Sequence, residues 1–112
     1  MLDIVSNDTI VAVATPPGFG GVGIVRFSGS SAYSLAMQLS RRVQDFIPRL
    51  ASYGAFYSAD LSDDVQLDSG IWLYFKSPHS FTGEEVVEFQ GHGAPFVLDK
   101  LISEALALGA RL

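Results

Sequence analysis

Apolar and polar positions along the chain follow two rhythms. Thr9 to Thr15 reads TIVAVAT, a β-branched run bounded by Asn7 and Asp8 before it and Pro16 and Pro17 after it, and predicts a short buried strand. After a glycine-rich turn over Pro16 to Gly21 the chain alternates. Val22, Ile24, Arg26 and Ser28 share one face, and Gly23, Val25 and Phe27 share the other. This second strand must carry a charge inward or at an edge. Ala32, Leu35, Ala36, Leu39 and Val43 then recur mostly at steps of three and four, which predicts a helix running to about Val43 with Ser28, Ser30 or Ser31 as its cap and Pro48 beyond its end.

In the second half, Tyr53, Phe56 and Tyr57 mark a strand within Leu50 to Ala59. Asp60 to Asp68 reads as an acidic turn, and Gly70 to Phe75 as a clearer strand that forms a hairpin with the previous one. Ser77 to Ser80 is a loop. From Val86 to Gln90 the alternation returns, with Val86, Glu88 and Gln90 facing one way and Val87 and Phe89 the other, until Gly91, His92 and Gly93 break it. Pro95 opens a final helix with Val97, Leu98, Leu101, Ile102, Ala105 and Leu108 on one stripe and Gly109 as its stop. The order strand, strand, helix, strand, strand, strand, helix predicts one α+β domain over residues 1–112, a mixed sheet with two helices.

Composition narrows the setting. A chain of 112 residues with 48% hydrophobic and 17% charged residues suits a single globular domain and argues against disorder. It has no cysteine, which removes a disulfide framework, a thiolate nucleophile and any cysteine-type zinc site. Met1 to Asp8 lacks a basic leader, and no run approaches the roughly 18 apolar residues of a membrane span, so the expected location is cytoplasmic. Seven Lys and Arg against twelve Asp and Glu give a formal charge of -5, which works against phosphate-backbone binding by the chain as a whole. Gly109 to Leu112 follow the helical pattern without a polar tail, so the chain reads as a fragment of a longer protein.

Gly18, Gly20 and Gly23 have the GxGxxG spacing after an apolar strand, and Asp45 lies about twenty residues on. A dinucleotide fingerprint must open a helix, however, and Val22 to Phe27 has a strand period, so these glycines read as a loop joining two strands. No GxxxxGK[ST] is present, and this chain alone is not expected to hydrolyse a nucleoside triphosphate. His79 and His92 lack metal-ligand spacing; no metal site is expected, and His92 reads as a loop or packing histidine. Glu84 and Glu85 read as solvated surface. Glu88 is different because it sits between Val87 and Phe89, just as Arg26 sits between Val25 and Phe27. Both charges need partners. They either pair with each other as a structural salt bridge, or face a cleft and bind a ligand that brings its own donors and acceptors; spacing does not choose between the two.

The stretches DTIVAVATPPGFGGVGIVRFS, Asp8 to Ser28, and SFTGEEVVEFQGHGA, Ser80 to Ala94, closely resemble the N-terminal domain of the tRNA-modification GTPase family MnmE, also called TrmE. The resemblance covers essentially the whole chain, including an LDxGI-like segment at Leu67 to Ile71 and the final helix. It implies the α+β folate-binding fold shared with the glycine-cleavage T-protein, and a domain that binds a tetrahydrofolate derivative, 5-formyl- or 5,10-methylene-, and forms a homodimer. In the full protein such a domain precedes a helical domain and a GTPase domain that uses GTP, magnesium and potassium, both absent here. With the flavoprotein partner MnmG the whole is implied to modify C5 of the wobble uridine in tRNA, with the folate as one-carbon source.

Residue by residue, Arg26 falls on the arginine of the family's GVGI-x-R motif and Glu88 on the closing glutamate of FTGE-x-x-x-E. Both are implied folate contacts, which places the ligand reading ahead of the salt bridge. A folate-contacting lysine of the family would follow Leu112 and has no counterpart here. Phe19 stands where the family commonly has arginine, which removes a positive charge from the glycine loop. The implied role is therefore a binding and dimerisation module with no catalytic residue of its own. The rival is a dimerisation scaffold that binds no ligand in this form.

Overall fold

The computed structural model describes residues 8–15, 21–80 and 82–112. Gly18, Phe19 and Gly20 lie outside the described residues. Seven elements occur in the expected order: β1 (Thr9–Val13), β2 (Val22–Gly29), α1 (Ala32–Ser40), β3 (Ser52–Tyr57), β4 (Gln66–Phe75), β5 (Val86–His92) and α2 (Pro95–Ala107). The strands form one sheet in the order β1-β2-β5-β4-β3. Among the described residues the four strand pairings are antiparallel, and an isolated parallel bridge joins Ile10 to Arg111 beyond α2.

The helices share one face of the sheet. Val25, Phe27, Trp72 and Phe89 point there from three strands and meet Leu35, Ala36 and Leu39 of α1 and Leu98, Leu101 and Ala105 of α2 in one buried cluster. Its centre is aromatic: the Trp72 ring lies 4.8 Å from Phe89 and 5.4 Å from Phe56, centroid to centroid, and the indole N–H donates to Ala55 O at 3.0 Å. That bond is why so large a polar-tipped ring can be fully buried. A Cβ on Gly23 would come 2.9 Å from the main-chain oxygen of His92, besides 2.8 Å from Leu98 Cδ2 of α2, and the main chain cannot give way as a side chain can, which explains a glycine at that strand position.

Three local expectations need correction. α1 ends at Ser40, not near Val43, because Arg41 turns left-handed at φ 52 and carries its side chain towards the β3–β4 loop; Val43 is 97% exposed. Ser31 holds the N-cap position without a side-chain capping bond, and its own N–H donates to Thr9 Oγ1 at 2.9 Å instead. The acidic turn is shorter than Asp60 to Asp68, since β4 starts at Gln66 and Asp68 is a buried strand residue opposite Phe56.

The end of α2 follows expectation. Ala110 N–H reaches back to Ala105 O at 3.2 Å and Gly109 N–H to Leu106 O at 3.0 Å, with Gly109 at φ +102. This is a Schellman turn, which requires the left-handed residue that glycine supplies without strain. Among the described residues, no helix is long and apolar enough to cross a membrane.

Candidate ligand-binding site

Strand periodicity decides where Arg26 and Glu88 go. In β2, Gly23, Val25 and Phe27 are buried under the helices, so Arg26 projects from the opposite face; in β5, Val87 and Phe89 do the same for Glu88. The antiparallel register then sets Arg26 directly across from Glu88, with Ala12 of β1 and Leu73 of β4 as their outer neighbours. Cross-strand neighbours of this kind have Cβ atoms about 5 Å apart, well within the reach of both side chains. Arg26 donates from Nε to Glu88 Oε2 at 2.8 Å, and its Nη2 lies 2.6 Å from the same oxygen. The Glu88 side chain is 10% exposed and that of Arg26 is 28% exposed.

The two charges are thus joined, and the joining has a particular form. Two of the three guanidinium nitrogens, Nε and Nη2, converge on one carboxylate oxygen rather than forming the two parallel bonds of a fork. Glu88 Oε1 accepts no hydrogen bond among the described residues. Ala12 contributes only a methyl beside Arg26, and Ile24, Leu73 and Phe75 are half-buried on this strand face away from the helices. Ser28 Oγ meets Thr82 Oγ1 at 2.8 Å, which brings the Thr82–Glu85 turn to the end of the same strand pair.

The other sequence candidates separate. The Glu84 side chain is exposed. Glu85 accepts the Tyr74 hydroxyl on Oε1 and the Ser77 N–H on Oε2 at 2.6 Å, so it fastens a turn. Burial, with Glu85 beside it, pushes the Tyr74 hydroxyl above its ordinary pKa. Asp45 accepts the Tyr33 hydroxyl at 2.7 Å. His79 lies in the turn after β4, whereas His92 ends β5, and among the described residues no group of three or more His, Asp or Glu is placed to hold a metal.

Three arrangements escaped sequence reading. Asp68, its side chain 4% exposed, takes His92 N–H on Oδ2 at 2.9 Å and the His92 ring Nδ1 on Oδ1. A Cβ at Gly91 would collide with that carboxylate and with the Phe89 ring, so the glycine makes the room. Arg41 bonds through Nη2 to the carbonyls of Ser58, Asp60 and Asp63 at 3.1, 3.0 and 2.6 Å, pinning the β3–β4 loop from behind. Glu104 of α2 accepts Ala59 N–H at 2.7 Å and pairs with Lys100 at 3.1 Å. The Ala59 N–H, then Lys100 and Ser58, hold its carboxyl below the ordinary carboxylate range. The first joins two strands and the other two join a loop to a helix or its end, all between segments distant in sequence, and residue spacing carries no signal for that.

Comparison with known proteins settles the lineage. The family described as GTP-binding protein TrmE N-terminus matches residues 9–112. The chain belongs to this family. It is 56% identical over 107 residues, 96% of its length, to the tRNA modification GTPase MnmE of Legionella pneumophila strain Corby, covering 23% of that protein. It is 54% identical over 107 residues to the protein of the same name from Nitrosomonas europaea and 53% identical over 106 residues to that of Chromohalobacter salexigens, covering 23% and 22% of them. The chain therefore spans about a quarter of the length of the relatives it matches. It is the TrmE-type N-terminal domain, and the Arg26–Glu88 pair sits on the sheet face that this domain's own helices leave uncovered.

Proposed function

We propose that this domain binds a tetrahydrofolate derivative, 5-formyl- or 5,10-methylene-, at Arg26 and Glu88 and forms a homodimer. In this reading it is the one-carbon module of a cytoplasmic tRNA wobble-uridine GTPase. GTP, magnesium and potassium belong to a GTPase domain, and the flavoprotein MnmG to the assembled complex. One observation carries the ligand assignment: among the described residues the contacts of Glu88 with Arg26 run through Oε2, and Oε1 accepts no hydrogen bond there, on the face away from the helices. A carboxylate so placed suits the N–H edge of an aminopyrimidinone, and a guanidinium beside it suits a carbonyl or the anionic tail. Folate, when bound, supplies the one-carbon unit; the chain's own residues bind and orient it. The homodimer is what the family resemblance implies, and Ile24, Leu73 and Phe75, half-buried on the face away from the helices, offer it apolar surface.

The rival, a scaffold that dimerises and binds no folate, is favoured by the directness of the Arg26–Glu88 contact. Calorimetric titration with 5-formyltetrahydrofolate, alongside multi-angle scattering, separates the two. The expected result is a dimer that binds, with Glu88→Gln and Arg26→Ala each weakening binding at least tenfold. Equal binding by both variants overturns the residue assignment. A dimer with no heat of binding, at this length and at the length of its relatives, establishes the scaffold.

A further inference from the structure

The chain is acidic overall, so a place where positive charge goes unspent is conspicuous. Of its seven Lys and Arg, five are engaged. Arg26 meets Glu88, Arg41 meets Asp64 and the loop carbonyls, Arg42 meets Gln44 O and Ser52, Lys100 meets Glu104, and Arg111 meets Asp8. The side chains of the other two, Arg49 and Lys76, make no hydrogen bond or ion pair among the described residues. Both line the same hollow of about 450 Å³, together with Pro48, Ser77, Pro78 and His79.

The backbone holds this hollow in shape. Arg49 N–H donates to Tyr74 O at 2.7 Å, tying the segment before β3 to the end of β4, and His79 N–H donates to Lys76 O at 2.9 Å, closing the turn. Ser77 is fixed at both ends, its N–H on Glu85 Oε2 and its hydroxyl on Gly83 O at 3.1 Å. Glu85 borders this turn, and both of its oxygens are already engaged by Tyr74 and Ser77.

We propose that this hollow is a binding site for a phosphate-bearing nucleotide unit, with the phosphate between Arg49 and Lys76. Two unpaired cations suit a phosphate, since guanidinium and ammonium are its preferred protein partners. The volume decides between a bare anion and something larger: about 450 Å³ is in the range of small-ligand sites and far exceeds one phosphate. The His79 imidazole and the rings of Pro48 and Pro78 supply the flat and apolar surface that a base or ribose needs. The nucleotide belongs either to a single-stranded stretch of RNA or to a free mononucleotide. The site uses neither Arg26 nor Glu88, so the folate assignment can fail without touching it.

The test uses fluorescence anisotropy with a labelled single-stranded RNA octamer, and His79 imidazole NMR resonances with cytidine 5′-monophosphate or inorganic phosphate. One phosphate neutralised on a single strand gives a salt slope of about 0.7, so RNA affinity should fall roughly two- to threefold between about 50 and 200 mM salt. The Arg49→Gln/Lys76→Gln double variant should keep its melting temperature, lose at least tenfold in affinity and flatten that slope. Movement of the His79 resonances by the mononucleotide, with no RNA binding, supports the site and assigns it to a free nucleotide. If neither probe binds the parent at millimolar ligand, or the double variant binds both as the parent does, the proposal is wrong.

Discussion

Two arginines in this domain are spent in opposite ways. Arg41 gives one nitrogen to three backbone carbonyls of the β3–β4 loop, stacks 4.6 Å over the Tyr57 ring and meets exposed Asp64 at 3.2 Å. Arg26 directs two nitrogens onto one oxygen of one carboxylate, on a sheet face with no helix over it. A guanidinium that satisfies main-chain carbonyls is part of the fold, because nothing that diffuses in can replace it without unmaking the loop. A guanidinium on a side-chain carboxylate forms a contact that a ligand with matched donors and acceptors can share. On the proposed reading, the difference separates an architectural cation from one available for recognition.

The largest expected effect lies on the architectural side. Arg41→Ala should cost about 3 kcal/mol in chemical denaturation, because it removes charge-assisted bonds to three carbonyls together with the stacking on Tyr57. Hydrogen exchange should speed up over residues 58–64 while folate binding stays at the parent level; loss of folate binding here would erase the distinction. Glu88→Ala should cost less, about 2 kcal/mol, since Arg26 is partly exposed and a fully buried pair loses about 3–5. Its signature is the reverse, a modest stability change with folate binding lost.

Glu104→Gln should cost about 1 kcal/mol at neutral pH and sharpen the comparison through its pH dependence. The folded-state pKa of Glu104 lies below its ordinary 4.5, so its contribution is present above that value and disappears as pH falls through the folded pKa. In the parent, stability should therefore decline on the acid side, and the variant should show a shallower decline in the same urea titrations. An unchanged acid slope would mean that the Ala59 contact contributes nothing to holding the loop.

Much of the architecture was legible because alternation and helical stripes record which face is buried. Val25 and Phe27 flanking Arg26, and Val87 and Phe89 flanking Glu88, suffice to place both charges on the face opposite those apolar neighbours. What periodicity cannot give is register. That Arg26 lies opposite Glu88, and not one pair along, follows from strand pairing across 62 positions of sequence. The left-handed Arg41 that ends α1 was hidden for a related reason: its partners are carbonyls, which every residue has. Asp68 misled in the other direction, because an aspartate near an acidic run reads as turn, and only the distant main chain of His92 explains its burial.

The Schellman turn at Gly109 has a consequence for association between molecules. It sends the chain back along the outer side of β1, where Arg111 N–H bonds to Thr9 O at 2.8 Å, Val11 N–H bonds to Arg111 O at 2.9 Å, and the Arg111 side chain reaches Asp8 at 3.0 Å. An edge strand with bare amides is a template for a neighbour's strand. Here Arg111 occupies that template at Thr9 and Val11, so this stretch of the border is closed to a neighbour by the same chain that creates it.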